Sequence, residues 1–197
     1  RDRIDGGNGD DSLVGDSQAL FGGGDARGGG DDVIDGGRGA DSVVGDSSAA
    51  FGGDASGGGD DVIDGGEGND YQLIGDSSTA LGGTDGGNAT GGGDDVISGG
   101  AGSGRNLLEV IGDSRSSGEG DAKGGGDDIL DYAESDDGLV IGDSLAPNFG
   151  DARGSGSDVI TGSIGTDTLL VGDNAAYTGA LSGGGRDQLF GLAGDDT

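Results

Sequence analysis

A repeat constrains this chain more than any other feature. The tripeptide Gly-Asp-Ser begins at Gly15, Gly45, Gly75, Gly112 and Gly142, with Gly172-Asp173-Asn174 as a sixth copy, at spacings of 30, 30, 37, 30 and 30 residues. A second marker, GGGDDVI, starts at Gly28, Gly57 and Gly91, returns as GGGDDIL at Gly124, and decays to GSGSDVI at Gly154 and GGGRDQL at Gly183. Two markers in phase at a period of this size are the signature of stacked supersecondary units. The units run about 28–56, 57–90, 91–123, 124–153 and 154–182, with partial units at 1–27 and 183–197. Residues 1–197 therefore read as a single solenoid. Asp2 stands in the register of Asp32, and Asp187 six repeats further on, so the chain starts and stops inside a unit. Natural solenoids normally end in atypical caps, which makes a piece of a longer array the expectation.

Composition alone would predict disorder. Of 197 residues 54 are glycine, and 39 acidic side chains against 9 basic ones give a net charge of −30. Leu, Ile, Val and Phe make up under a fifth of the chain, the range of disordered sequences with high charge. The regular recurrence of those few apolar residues argues for order instead, provided that something compensates the charge. With no His, Cys, Met or Trp, the chain lacks the usual ligands for zinc, copper, haem and iron–sulfur sites and has no disulfide. Oxygen ligands remain, and calcium is the cation that suits them. About fifteen divalent ions would cancel the excess charge. So acidic a surface repels phosphate backbones and anionic lipid, which excludes nucleic-acid and membrane-surface partners. The longest apolar run, Leu107 to Ile111, is broken by Glu109, so no membrane-spanning helix is expected. No residues at the start read as a signal peptide.

Within each unit the pattern is nine residues long. Gly36 to Val44 reads GGxGxDxUx, with U a large aliphatic residue, and Gly6 to Val14 and Gly65 to Leu73 fit it well or nearly so. Asp32 lies nine residues before Asp41, which makes Arg27 to Asp35 the preceding nonapeptide. Each unit thus holds two nonapeptides plus about a dozen inserted residues, such as Asp46 to Ser56. Glycine serves such turns because the backbone must adopt positive φ and bring carbonyls together without side chains between them.

On these motifs the chain resembles the RTX family, the glycine- and aspartate-rich calcium-binding repeats of bacterial secreted toxins, proteases, lipases and surface proteins. The resemblance covers essentially the whole chain. It departs from the family's simplest form, a continuous run of nonapeptides, by the insertion in every unit. It implies an all-β fold, a right-handed parallel β-roll or β-solenoid of about six stacked coils, stabilised by calcium ions between coils. The sixth-position aspartate is then a ligand and U is buried. Carried over, the first turn supplies Asp32, Asp61, Asp95, Asp128, Asp158 and, in a weakened copy, Asp187. The second turn supplies Asp11, Asp41, Asp70 and Asp167. Carbonyls come from turn positions such as Gly6, Asn8, Gly28, Gly30, Gly36, Arg38, Gly57, Gly59, Gly65, Glu67, Gly91, Gly93, Gly124 and Gly126. Gly104 replaces the second-turn aspartate of one unit, and Tyr132-Ala133-Glu134-Ser135 has lost the turn glycines of the next. Those two sites are expected to be weak, rearranged or empty.

Asp16, Asp46, Asp76, Asp113, Asp143 and Asp173 of the Gly-Asp-Ser steps form a third column, followed by Asp25, Asp54, Asp121 and Asp151. It has no counterpart in the plain nonapeptide. Its aspartates either bind metal or cap the next turn through backbone N–H groups. A single aspartate in a turn is as readily a solvated turn former as a ligand. A column is different, because like charges about 4.8 Å apart repel strongly unless a cation lies between them.

The apolar residues read as core. Ile4, Ile34, Ile63, Ile97, Leu130, Ile160 and Leu189 form one inward ladder, and Leu13, Val43, Leu73, Val110, Val140 and Leu170 another. Phe21, Phe51 and Leu81 are expected to fold the insertions over the roll. Gly142-Asp143-Ser144-Leu145 spells the nucleophile motif of GDSL-type esterases, but the tripeptide recurs in phase with the repeat and no His exists to act as base. Glycine-rich strings carry no dinucleotide signal without a βαβ context, and no 12-residue EF-hand loop ending in Glu occurs. A non-enzymatic calcium-binding module is the reading that remains. It is unfolded at low calcium and folded outside the cell, where sites of this kind have affinities near roughly 0.1–1 mM. The resemblance adds passage of the unfolded chain through a type I secretion channel, hence a secreted or bacterial cell-surface location. Further partners would be neighbouring repeats or end-to-end contacts with other chains. The module serves either secretion, folding or a surface stalk, or it is the accessory region of a secreted enzyme or toxin.

Overall fold

The computed structural model describes residues 1–21, 23–79, 87–100, 108–132, 138–162 and 169–192. Every described strand is two to four residues long and pairs in parallel with its counterpart one unit away. The second unit shows the pattern: Val33–Asp35, Ser42–Val44, Ser47–Ala49 and Ala55–Ser56 follow one another round the coil. Each belongs to a separate ladder. The first ladder has seven strands, from Arg3–Asp5 to Gln188–Phe190, and the second, third and fourth have six each. Six rungs enclose five full turns of the chain, and the result is a parallel β-solenoid. A further small pairing joins Arg38–Gly39 to Glu67–Gly68. No helix is present among the described residues, and none is long and apolar enough to cross a membrane.

Register holds residue by residue. Ile4, Ile34, Ile63, Ile97, Leu130, Ile160 and Leu189 are successive partners in the first ladder, and Leu13 to Leu170 are successive partners in the second. The two rows meet in one core, with Ile34, Ile63, Leu73, Ile97, Leu130 and Ile160 at 1% exposure or less. Alternation along a strand sends the next residue to the opposite face. In the second ladder that residue is also apolar. Val44, Ile74, Ile111 and Ile141 are buried there beside Leu145 of the third ladder, a second core that the two expected ladders do not include. The paired apolar letters in Ser-Val-Val, Gln-Leu-Ile and Glu-Val-Ile are its sequence signal, because strands covered on both faces lose the polar alternation.

The insertions are held by alanine. Ala19, Ala49, Ala26 and Ala55 pack between the third and fourth ladders, and Ala122, Ala146, Ala152 and Ala176 repeat the arrangement further along. Small side chains let those sheets approach closely. The expected aromatic cover is corrected here: Phe21 is 85% and Phe51 54% exposed, and Leu81 lies outside the described residues. Phe21 and Phe51 occupy the outward bend between the third and fourth strands, where Phe51 has φ +58°. Leu189, at the last rung, is half exposed because no further coil covers it among the described residues.

Ile74→Ala is expected to cost about 2–5 kcal/mol, as for other buried large-to-small changes, while Phe21→Ala stays within about 0.5 kcal/mol. Urea unfolding in saturating calcium distinguishes this from an exposed second face, for which both changes would be near neutral.

Candidate metal centre

Two of the aspartate-bearing corners of each coil come together. At the first, the chain leaves the fourth ladder through GGGDD and enters the first. At the corner between the second and third ladders stands Gly-Asp-Ser. Sixteen residues separate Asp16 from Asp32 and fourteen separate Asp32 from Asp46. The coil closes so that these two corners touch. The carboxylates of Asp16, Asp32 and Asp46 offer oxygens within 4.8 Å of one another, and the same holds for Asp46, Asp61 and Asp76, for Asp76, Asp95 and Asp113, and for Asp113, Asp128 and Asp143. The first-turn column and the Gly-Asp-Ser column, separate in the sequence, line one channel along the roll.

Hydrogen bonds fix one oxygen of each first-turn aspartate and of Asp46, Asp76 and Asp113, and leave the other. Asp32 Oδ1 accepts the N–H of Asp2 at 2.5 Å, Asp61 Oδ1 that of Asp32 at 2.6 Å, Asp95 Oδ1 that of Asp61 at 2.7 Å and Asp128 Oδ1 that of Asp95 at 2.8 Å. The column continues through Asp158 to Asp187. On the other side Asp46 Oδ1 accepts from Gly30 N–H, Asp76 Oδ1 from Gly59 and Asp113 Oδ1 from Gly93. The Oδ2 atoms of Asp32, Asp46, Asp61, Asp76, Asp95, Asp113, Asp128, Asp143 and Asp158 are buried with no hydrogen-bond partner, as is Asp173 Oδ1. An unsatisfied buried carboxylate oxygen is costly, and a row of them is a donor set shaped for a hard cation. Glycine makes the approach possible: a Cβ at Gly45 would overlap both the Gly75 carbonyl and Asp61 Oδ2, and one at Gly75 the Gly112 carbonyl and Asp95 Oδ2.

With protein groups alone around them, these carboxyls resist ionisation. Burial, then the nearby Asp128 and Asp61, pushes Asp95 up to about 9. Burial and neighbouring aspartates raise Asp61, Asp128 and Asp143 to about 8, and Asp46 and Asp158 to about 6. Asp76 and Asp113 are raised well above the ordinary range by burial and then by the aspartates on either side. A divalent cation removes both causes at once.

The second turn is a separate column. Asp41 Oδ1 accepts Asp11 N–H at 2.8 Å and Asp70 Oδ1 accepts Asp41 N–H at 3.0 Å, while Oδ2 of all three is buried without a partner. Burial raises Asp70 to about 6 and raises Asp41 as well. Gly37 and Gly39 have φ of +94° and +151°, the conformations for which this turn selects glycine. Asp167 and Gly104 lie outside the described residues, as do Ala133, Glu134 and Ser135. Tyr132 does not: it is 1% exposed in the core, and a Cβ on Gly99 or Gly138 would overlap its ring. An aromatic side chain thus packs where earlier coils turn through glycine.

Among the expected carbonyl donors, Gly28 and Gly57 accept the hydroxyls of Ser47 and Ser77, and the Arg38 carbonyl accepts Gly9 N–H. Each keeps a second lone pair. Gly30, Gly59 and Gly93 present their N–H groups to the Gly-Asp-Ser carboxylates. Four of the Gly-Asp-Ser serines, Ser47, Ser77, Ser114 and Ser144, are buried away from solvent.

Two further columns of acidic or amide side chains are turn formers. Asp25, Asp54, Asn88, Asp121 and Asp151 each accept the N–H of the next coil. Asp25 and Asp151 are held below the usual range by that N–H first and by Arg27 and Arg153 second, and Asp121 by its N–H and Lys123. Asp31, Asp60, Asp94 and Asp127 form a similar exposed ladder.

A family model described as the RTX calcium-binding nonapeptide repeat, in four copies, matches residues 1–19, 28–49, 56–71, 89–105, 154–175 and 181–197, more than half of the chain. The longest stretch it leaves out, 106–153, contains the turn at Tyr132 that has lost its glycines. No curated protein and no solved structure matches significantly. Repeat domains of this family are typically structural and non-catalytic. Four successive triads of carboxylates, buried except for Asp16 at the first, agree with the family in pointing to calcium, and the chain belongs to the RTX calcium-binding repeat family, its acidic turns wound into a parallel β-solenoid.

Proposed function

We propose that calcium binding is the folding step of this chain, and that the folded roll is the secretion, folding or structural surface module of a larger secreted protein. Its ligands are the first-turn aspartates Asp32, Asp61, Asp95, Asp128, Asp158 and Asp187, the Gly-Asp-Ser aspartates from Asp16 to Asp173, and the second-turn Asp11, Asp41, Asp70 and Asp167. The row of buried, unpartnered Oδ2 atoms carries this reading. Three large apolar side chains per thirty-residue coil, such as Ile63, Leu73 and Ile74, form too thin a core to offset both chain entropy and a charge of −30. Binding free energy is then folding free energy, and each ion joins two coils. In a compartment poor in free calcium the chain stays extended and exportable, and outside it folds. The module itself performs no catalysis; the activity of an attached domain would be separate.

Calcium titration from chelator, followed by far-UV circular dichroism, is expected to give a steep coil-to-β transition at about 0.1–1 mM, absent with magnesium. At pH 8, a β-rich spectrum in chelator, or disorder at about 10 mM calcium, contradicts the proposal.

Acidity tests it from the opposite side. Folded-state pKa values of about 6 to 9 exceed the unfolded value of about 3.9. Their contribution to the calcium-free fold is therefore complete below about pH 4 and is lost as pH rises through 6 to 9. In chelator, β-structure is expected to increase from pH 8 to pH 4.5. In calcium, the titration midpoint rises as pH falls, because protons compete for the same oxygens. A midpoint independent of pH between 5 and 8 places the ions elsewhere.

A further inference from the structure

Resting on the calcium reading just given, we infer that each interior Gly-Asp-Ser aspartate bridges two successive ions, so that the ions form one carboxylate-linked chain along the roll instead of a set of separate sites. Membership of the triads is the first observation. Asp46 belongs to the triads of Asp32 and Asp61, Asp76 to those of Asp61 and Asp95, and Asp113 to those of Asp95 and Asp128. Each first-turn aspartate belongs to one triad.

Contacts of the same side chains show why. Asp76 accepts the N–H of Gly59 from the turn that carries Asp61, and its Cβ abuts Gly91 on the turn that carries Asp95 closely enough to forbid a side chain there. Asp46 spans Gly30 and Gly57 in the same way, and Asp113 spans Gly93 and Gly124. The carboxylate therefore lies between two successive turns. A first-turn aspartate faces one Gly-Asp-Ser corner: Asp61 Oδ2 abuts Gly45 and Asp95 Oδ2 abuts Gly75. Asp46, Asp76 and Asp113 are fully buried, each with an unpartnered Oδ2.

Charge supports the same arrangement. Adding one coil adds one first-turn and one Gly-Asp-Ser carboxylate to the channel, two negative charges for one divalent ion. Three unshared carboxylates would leave each buried site with an excess negative charge, which a low-dielectric interior penalises. Sharing makes each added coil neutral, so the excess over the four triads, nine carboxylates against four divalent ions, is a single negative charge however long the column. It also couples neighbours, since an ion that orders Asp76 prepares the next site.

Bound calcium is counted by equilibrium dialysis at saturating calcium on the full chain, its Asp76→Asn variant and its Asp95→Asn variant, with circular dichroism on each as the folding control. Asp76→Asn is expected to lose two ions and Asp95→Asn one. Equal losses, or a larger loss for Asp95→Asn, overturn the bridging role while leaving calcium binding intact. A full chain that binds no calcium overturns the underlying reading instead. Asp46→Asn against Asp61→Asn repeats the comparison one coil away, so that a variant that fails to fold does not decide the result, and Asp76→Glu is expected to recover at least one of the two ions.

Discussion

Like-charged carboxylates buried one coil apart are the interaction on which the rest of this structure depends. Asp32, Asp61, Asp95, Asp128 and Asp158 stand in register inside the roll, opposite Asp46, Asp76, Asp113 and Asp143. The parallel ladders impose that register, since a strand pairing that aligns Ile34 with Ile63 and Ile97 also aligns the aspartate two residues before each. Apolar packing and charge repulsion thus arise from the same repeat and oppose each other. A divalent cation in the channel would reconcile them, which is the role proposed for it above.

Much of this was legible in the sequence because the solenoid maps sequence period onto space directly. The Ile63 and Leu73 rows, the Asp32 and Asp41 columns and the parallel all-β class follow from spacing and from the resemblance those motifs carry. The joining of the Gly-Asp-Ser and first-turn columns was not legible. It depends on the path of the inserted segment, whose alanine-lined sheets close the coil back on itself. One clue was present: both markers persist where the spacing stretches from 30 to 37 residues, so their mutual contact is held while the connection between them varies. The second core at Val44, Ile74 and Ile111 was readable from doubled apolar letters. Phe21 and Phe51 misled because a large apolar residue in register suggests burial, whereas here the register places it on an outward bend.

The aspartates divide by environment instead of by residue type. Asp121 and Asp151, half exposed, take a backbone N–H and a basic neighbour and are ordinary turn formers. Asp95 and Asp128 also take a backbone N–H, but their second oxygen is sealed in the channel. Burial of that one atom separates the caps from the proposed ligands. The same burial keeps Ser144 out of contact with solvent despite its motif.

Crystals of the full chain grown in calcium, with anomalous scattering recorded at a wavelength suited to calcium, test the central claim most directly. The account predicts an unbroken row of anomalous peaks about one strand spacing apart, each between a first-turn aspartate and two Gly-Asp-Ser aspartates, beginning at Asp16, Asp32 and Asp46. Peaks confined to the second-turn column of Asp11, Asp41 and Asp70, with none in the channel, would contradict it.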